Sequence, residues 1–266
     1  MGTTLKDLAI ALNEYESKSL NTLLVNHNIP PKVFTNIVLN EVKKNQKLFQ
    51  AYIDSPLTFF GSITFCAEMG LIPNSELGQF YFSTVQVLDG RVYVKPIIGY
   101  LGMIEILYRN PKIKSISSES VHEGDIFEYE LGLNPILKHT PLDEIRNADT
   151  LTHVYMVVEL DNGLKQFKVM SKYSLLQTIE IQKDKNALYF SKKDPNFWML
   201  KKIVLKQMSK TLPKDYLSAM AIKFDDGLEG GKIISLDENQ NVVLNEEKPQ
   251  KQSLNFDFGE ESLFEL

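Results

Sequence analysis

Two hairpin turns set between runs of helical periodicity limit this chain to a mixed fold with antiparallel strands. Asp89-Gly90 joins the strand-like segments 79–88 and 91–98, and Asp161-Asn162-Gly163 joins 152–160 to 164–170. Asp-Gly and Asn-Gly supply the positive φ that a tight hairpin turn needs, so each pair of segments folds back on itself. Further short strands are expected across 112–137. Helical spacing lies on both sides. Leu5, Leu8, Ala9 and Leu12, then Leu20, Leu23 and Leu24, recur every three to four residues; Pro30-Pro31 opens a second helix through Val33, Phe34, Ile37, Val38 and Val42. Ser55 as N-cap and Pro56 in the first turn open a third helix, and Gly70 provides its left-handed stop. The segments 99–109, 171–183 and 195–213 complete the long helices, with a short one to about Phe224. Strands grouped between helices predict an α+β fold, antiparallel hairpins or a small sheet packed with helices, rather than a wound parallel sheet.

With 266 residues and 43% apolar side chains, the chain can bury a substantial core. Its net charge of -5 is unevenly placed: 225–266 carries eleven acidic residues against three lysines, leaving 26 basic and 23 acidic residues in 1–224. The expected organisation is therefore a mildly basic body, 1–224, with a helical N-terminal region, 1–54, followed by a disordered acidic tail, 225–266. No apolar run reaches the roughly 18 residues of a membrane span. The N-terminal segment lacks the basic and apolar regions of a secretory signal. A single cysteine, Cys66, rules out an internal disulfide framework or a cysteine-built zinc cluster and points to a reducing cytoplasm.

The helix 195–213 carries the most suggestive charge pattern. At about 100° per residue, Lys202, Lys206 and Lys210 fall on one flank and Leu200, Val204, Met208 and Leu212 on the other. An apolar flank docked on the body would turn the lysines outward, at a spacing that follows a phosphate backbone; a plain solvated face is the alternative. Lys201, Lys192 and Lys193 add cations near the same helix. Trp198 and Tyr100 are the preferred base-stacking pair, Tyr100 lying between Gly99 and Gly102, where tight packing is the competing explanation. Arg91 and Lys95 share a strand face, Lys112 and Lys114 share another, and Arg109 closes a helix; together they are candidate groove-lining cations. Glu123, Asp125, Glu128 and Glu130 raise the possibility of a metal-dependent nuclease, but Glu123-Gly124-Asp125 reads as a turn. His27, His122, His139 and His153 have no metal-ligand spacing. The run 227–232, Gly-Leu-Glu-Gly-Gly-Lys, imitates a phosphate loop but is one residue short and lacks the magnesium-binding hydroxyl. Phe256, Phe258, Leu263 and Phe264 among acids near the C-terminus suggest a docking peptide or a competitor for a basic groove, with a solubilising tail as the alternative.

Three blocks resemble one family. The first is Ser55-Pro56-Leu57-Thr58, then 67–74, Ala-Glu-Met-Gly-Leu-Ile-Pro-Asn, and 77–82, Leu-Gly-Gln-Phe-Tyr-Phe. The second is Gly99-Tyr100-Leu101-Gly102-Met103-Ile104-Glu105 with Val121 and Glu123-Gly124-Asp125-Ile126-Phe127; the third runs from Phe197-Trp198-Met199-Leu200-Lys201-Lys202 to Leu212-Pro213. In this order and spacing, over roughly 30–215, they resemble the RecT family of phage single-strand annealing proteins. Ile203 stands where the family usually has Thr and Lys206 where it usually has Arg, which loses a bidentate fork. Ser83-Thr84-Val85 replaces a strand ending in Pro-Tyr.

The resemblance implies a fold related to the eukaryotic annealing proteins and assembly as a homo-oligomeric ring or helical filament. It implies binding of single-stranded DNA and of the annealed duplex, with no catalytic residue, no nucleotide hydrolysis and no required cofactor, magnesium at most assisting DNA binding. A phage exonuclease and a host single-strand binding protein are the expected tail partners, and the cytoplasm of a bacterial host, with the gene on a phage or prophage, is the expected setting. A DNA-end nuclease and a non-catalytic structural assembly protein are the alternatives.

Overall fold

Thr4 and Asp7 cap each other reciprocally, the Thr4 hydroxyl accepting the Asp7 amide and the Asp7 carboxylate accepting the Thr4 amide, and so start α1 (Leu5–Tyr15). A π-helical turn, Glu16–Leu20, carries the chain into α2 (Asn21–Asn26), and Asn28 at φ 57° ends it. Pro31 at the first helical position opens α3 (Pro31–Lys44), where its missing amide costs nothing. The Asn45 side chain caps α4 (Gln46–Asp54). Ser55 sits at the N-cap position of α5 (Pro56–Glu68), as expected, but its hydroxyl makes no capping bond. Gly70 stops this helix at φ 59°, a conformation glycine adopts without Cβ strain. In this computed structural model the described residues are 3–74, 76–87, 90–142, 146–182, 194 and 196–245.

The described residues divide into two units, one within 1–73, 82–96 and 232–245 and the other within 74–81 and 97–231. In the first, α5 is the core, buried at every position from Thr58 to Ala67. A helix buried all round must satisfy its polar side chains internally. Ser62 and Thr64 donate to the carbonyls one turn back, Tyr15 shares a 2.6 Å hydrogen bond with Thr64, and the Thr58 hydroxyl accepts the Val94 amide. The strands β1 (Phe80–Gln86) and β2 (Val92–Ile98) pair as predicted, and the Val87 amide bonds the Arg91 carbonyl across a turn with Gly90 at φ 88°. Asp89 of that turn lies outside the described residues.

In the second unit, α6 (Tyr100–Tyr108) precedes β3 (Ile113–His122), β4 (Ile126–Glu130), β5 (Ile136–Thr140), β6 (Leu151–Leu160) and β7 (Lys165–Ser171). An antiparallel sheet forms in the order β3-β6-β7, with Glu119 opposite Tyr155 and Tyr155 opposite Val169. The second predicted hairpin is its β6–β7 arm, turning at Gly163 with φ 81°. Strands β4 and β5 form a separate hairpin. Helices α7 (Lys172–Gln182), α8 (Trp198–Ser209) and α9 (Tyr216–Glu229) follow, and α8 lies against β6 and β7.

The boundary expected at 225 moves. Asp225 to Glu229 form the last turns of α9, and β8 (Ile233–Leu236) pairs with β9 (Val242–Asn245) in the first unit, against α5. The approach is close: a Cβ on Gly61 would stand 2.9 Å from the Ser235 carbonyl carbon. Ile233, Ile234 and Leu236 are buried there, three apolar residues in a four-residue strand too short to show a period amid Gly, Asp and Asn. Residues 246–266, with the expected docking peptide, lie outside the described residues.

Candidate nucleic-acid interface

The start of α8 gathers an aromatic pair and a cation. Asp194 accepts the backbone amides of Trp198 and Met199, each at 3.0 Å, satisfying two donors that a helix start leaves open. Phe197 takes the left-handed conformation, φ 55°, immediately before the helix. The Trp198 indole stacks on Tyr100 at a centroid distance of 5.2 Å and an interplanar angle of 28°. Tyr100 is fixed from its other end by a 2.7 Å hydrogen bond between its hydroxyl and Ser118. Burial raises the Tyr100 pKa, so the phenol stays neutral. Trp198 keeps 39% of its surface exposed, and Lys201 Nζ lies 5.0 Å from its ring centroid. Burial lowers the Lys201 pKa, against the opposing pull of Glu119 and Asp194, and Glu119 Oε2 is 3.9 Å from the ammonium.

The glycines beside Tyr100 serve packing. A Cβ on Gly99 would come within 2.1 Å of the Gly78 carbonyl oxygen, and one on Gly102 within 2.1 Å of the Gln79 oxygen. The Gly99 amide donates to that Gln79 oxygen at 2.8 Å. The Gly-Tyr-x-Gly pattern therefore lets α6 approach the 78–79 backbone, which in turn holds Tyr100 under Trp198.

The outward lysine flank expected on α8 is not what forms. Lys202 and Lys206 are only 5% and 6% exposed. Lys202 Nζ sits 2.6 Å from Asp225 Oδ1; Lys206 Nζ is 3.0 Å from Asp225 Oδ2, 2.7 Å from Asp226 Oδ1 and in contact with Glu229. Burial would lower the Lys206 pKa, but the charges of Asp225 and Glu229 outweigh it and hold the ammonium well above its ordinary value. Burial would likewise raise Asp225, and the two lysines hold it below the usual carboxylate range. Three acids expected in a tail, Asp225, Asp226 and Glu229, belong instead to α9 and neutralise the lysines. Counted with them, the body 1–229 has 26 basic and 26 acidic residues and no basic excess.

The other predicted cations scatter. Lys210 is exposed just past α8. Arg109, at the end of α6, lies 3.7 Å from Glu105. Lys112 and Lys114 are exposed around the start of β3, Lys114 pairing with Glu159. Arg91 and Lys95 are half-buried and belong to the first unit, Trp198 to the second. Lys192 and Lys193 lie outside the described residues.

Asp125 is consumed structurally. Its side chain accepts the His122 amide at 2.8 Å, the Leu142 amide at 2.9 Å, His139 Nε2 at 3.0 Å and Arg146 at 3.0 Å. Burial opposes these bonds, yet together they hold its carboxyl far below the usual range. Gly124 at φ 89° makes the turn that aims it. Among the described residues no three His, Cys, Asp or Glu side chains gather to hold a metal ion. Sequence reasoning does not find Glu119 or the acids of α9 as partners of the lysines. Lys202 and Lys206 share the four-residue spacing of Asp225 and Glu229, but spacing alone does not say which helices meet.

The RecT family model matches residues 32–243. Protein RecT of Escherichia coli (strain K12) is 34% identical over 176 residues, covering 64% of this chain and 63% of that protein. The chain thus spans a little under two thirds of that relative's length. The matched span takes in the Tyr100–Trp198 stack, the Asp125 turn and the α8–α9 ion cluster, and the chain belongs to the RecT family.

Proposed function

We propose that this protein binds single-stranded DNA and anneals complementary strands without nucleotide hydrolysis, acting as a homo-oligomer in recombination. Membership of the family supports the reading, and the observation that carries it is the half-exposed Trp198, backed by Tyr100 and flanked by Lys201. Binding without sequence preference needs an aromatic surface, since every base has a π-face, and a cation for the backbone. Strand contact centres on Trp198 and Lys201, with Lys210, Lys112, Lys114 and Arg109 as further cations on the same unit. Lys202 and Lys206 hold α8 against α9 and bind DNA only if their acids release them. The glycine run 227–232 favours no nucleotide site: Gly227 to Glu229 close a helix, whereas a phosphate cradle needs the positive start of one.

The test is annealing of complementary fluorescent oligonucleotides without ATP, in wild type and in Trp198→Ala and Lys201→Ala. Trp198→Ala is expected to weaken strand binding by roughly 1–3 kcal/mol, the worth of one stacked base. Annealing unchanged in both variants would remove the site. Cleavage of labelled DNA with magnesium or manganese would replace the annealing reading with a nuclease.

A further inference from the structure

Among the described residues Glu119 is the acid within 4.0 Å of Lys201, and it differs from the acids that hold Lys202 and Lys206. It lies on β3, an edge strand of the sheet, with its side chain 61% exposed. Its oxygen stands 3.9 Å from Lys201 Nζ, too far for a hydrogen bond, whereas the Lys202–Asp225 contact is 2.6 Å. The Lys201 side chain is only 9% exposed, and its Nζ lies 5.0 Å from the Trp198 ring centroid. A buried ammonium therefore faces a solvated, loosely engaged carboxylate at the mouth of the aromatic site. Of the other charged groups near Lys201, Asp194 is committed to the first amides of α8 and Arg146 to Asp125.

We propose that Glu119 is an internal competitor for the strand: its carboxylate holds the place of a phosphate at Lys201, and a bound strand displaces it. This inference rests on the proposed DNA site. The contact is long and its carboxylate partner is solvated, so a polyanion that also stacks on Trp198 can exchange with Glu119 at modest cost. The pair also discriminates. A free phosphate or a short anion gains only the lysine and must overcome Glu119, whereas a strand brings base stacking as well. Glu119 would then set how much of the site's affinity comes from stacking and how much from charge.

The exchange predicts a salt signature. A neutral Lys201–Glu119 pair meeting DNA releases few condensed counterions, while an unpaired Lys201 releases them as any phosphate-binding lysine does. In Glu119→Gln, affinity for an oligothymidylate should rise by about two- to five-fold, the range of a loosely engaged ion pair with one solvated partner. The slope of log affinity against log salt should steepen by up to about 0.7 per protomer bound. Trp198 is the chain's one tryptophan, so its emission reports occupancy directly. Lys201→Gln combined with Glu119→Gln should return the slope to that of wild type. Unchanged or weaker binding by Glu119→Gln, or a tighter complex with no change of slope, overturns the inference. The underlying site fails separately: wild type that binds oligothymidylate with no change in Trp198 emission, and with no loss in Lys201→Gln, removes both readings. The exposure of Glu119 makes misfolding an unimportant outcome, and circular dichroism checks it.

Discussion

Replacing Asp225 by Asn tests whether the α8–α9 lysines are structural. Asp225 is 3% exposed and pairs with both Lys202 and Lys206. Lys206 keeps Asp226 and Glu229 when Asp225 is neutralised, but among the described residues Asp225 is the one acid within 4.0 Å of Lys202. The cost therefore falls on Lys202, left as a buried ammonium with no acid in direct contact and only the more distant Glu229 to offset its charge. Breaking a buried pair from one side costs about 3–5 kcal/mol; the retained amide dipole and the intact Lys206 contacts place Asp225→Asn at the lower end, about 3 kcal/mol. Removing the stranded charge should restore much of it, so Lys202→Met with Asp225→Asn is expected to lie within about 1–2 kcal/mol of wild type. Urea unfolding followed by Trp198 emission and circular dichroism measures each corner of this cycle. The pH dependence carries a second sign. Asp225 titrates lower when folded, so its stabilisation is full above the unfolded carboxylate pKa of about 3.9 and fades as pH falls through the lower folded value. Asp225→Asn should accordingly lose some of the acid limb. If Asp225→Asn changes stability by less than about 0.5 kcal/mol while weakening DNA binding, the buried-pair argument is wrong.

Two other perturbations test the packing of the fold. Burial raises Glu68 to about 7, and its Oε2 has no hydrogen-bond partner among the described residues. A carboxyl raised on folding favours the folded state below its unfolded pKa, and that advantage is lost as pH rises through 7. Glu68→Gln should therefore stabilise the protein at pH 8.5 by about 1–2 kcal/mol, discounted for its partial exposure, and by little at pH 5; an equal gain at both would refute the assignment. Gly102→Ala drives a Cβ to 2.1 Å from the Gln79 oxygen and should cost about 2–3 kcal/mol and loosen the Tyr100–Trp198 stack; wild-type stability and emission would contradict the packing role.

Much of the secondary structure is legible in the sequence because its signals are local. Asp161-Asn162-Gly163 turns where the residues favour positive φ, Pro31 and Pro56 open helices, and Gly70 stops one. The sequence singles out Tyr100 and Trp198 as aromatics for base stacking, but that their rings stack on each other is decided by the tertiary structure. The lysine face of α8 is not legible, because a helical wheel reports which residues share a flank and not what covers it. The apolar strand β8 is lost among polar neighbours because four residues carry no period.

By itself the sequence determined the alternation of helices and hairpins and the glycine-spaced motifs, since backbone preference and chirality act within a few residues. The tertiary structure decided the fate of each charge. Lys202 and Lys206 are ion-paired to α9, Asp125 is an anchor, and Lys201 stays beside an exposed indole and a loosely held acid. The physical reason is that a charge's energy depends on its burial and on neighbours distant in the chain: Lys202 and Asp225 are 23 residues apart in sequence, yet their charged atoms lie 2.6 Å from each other.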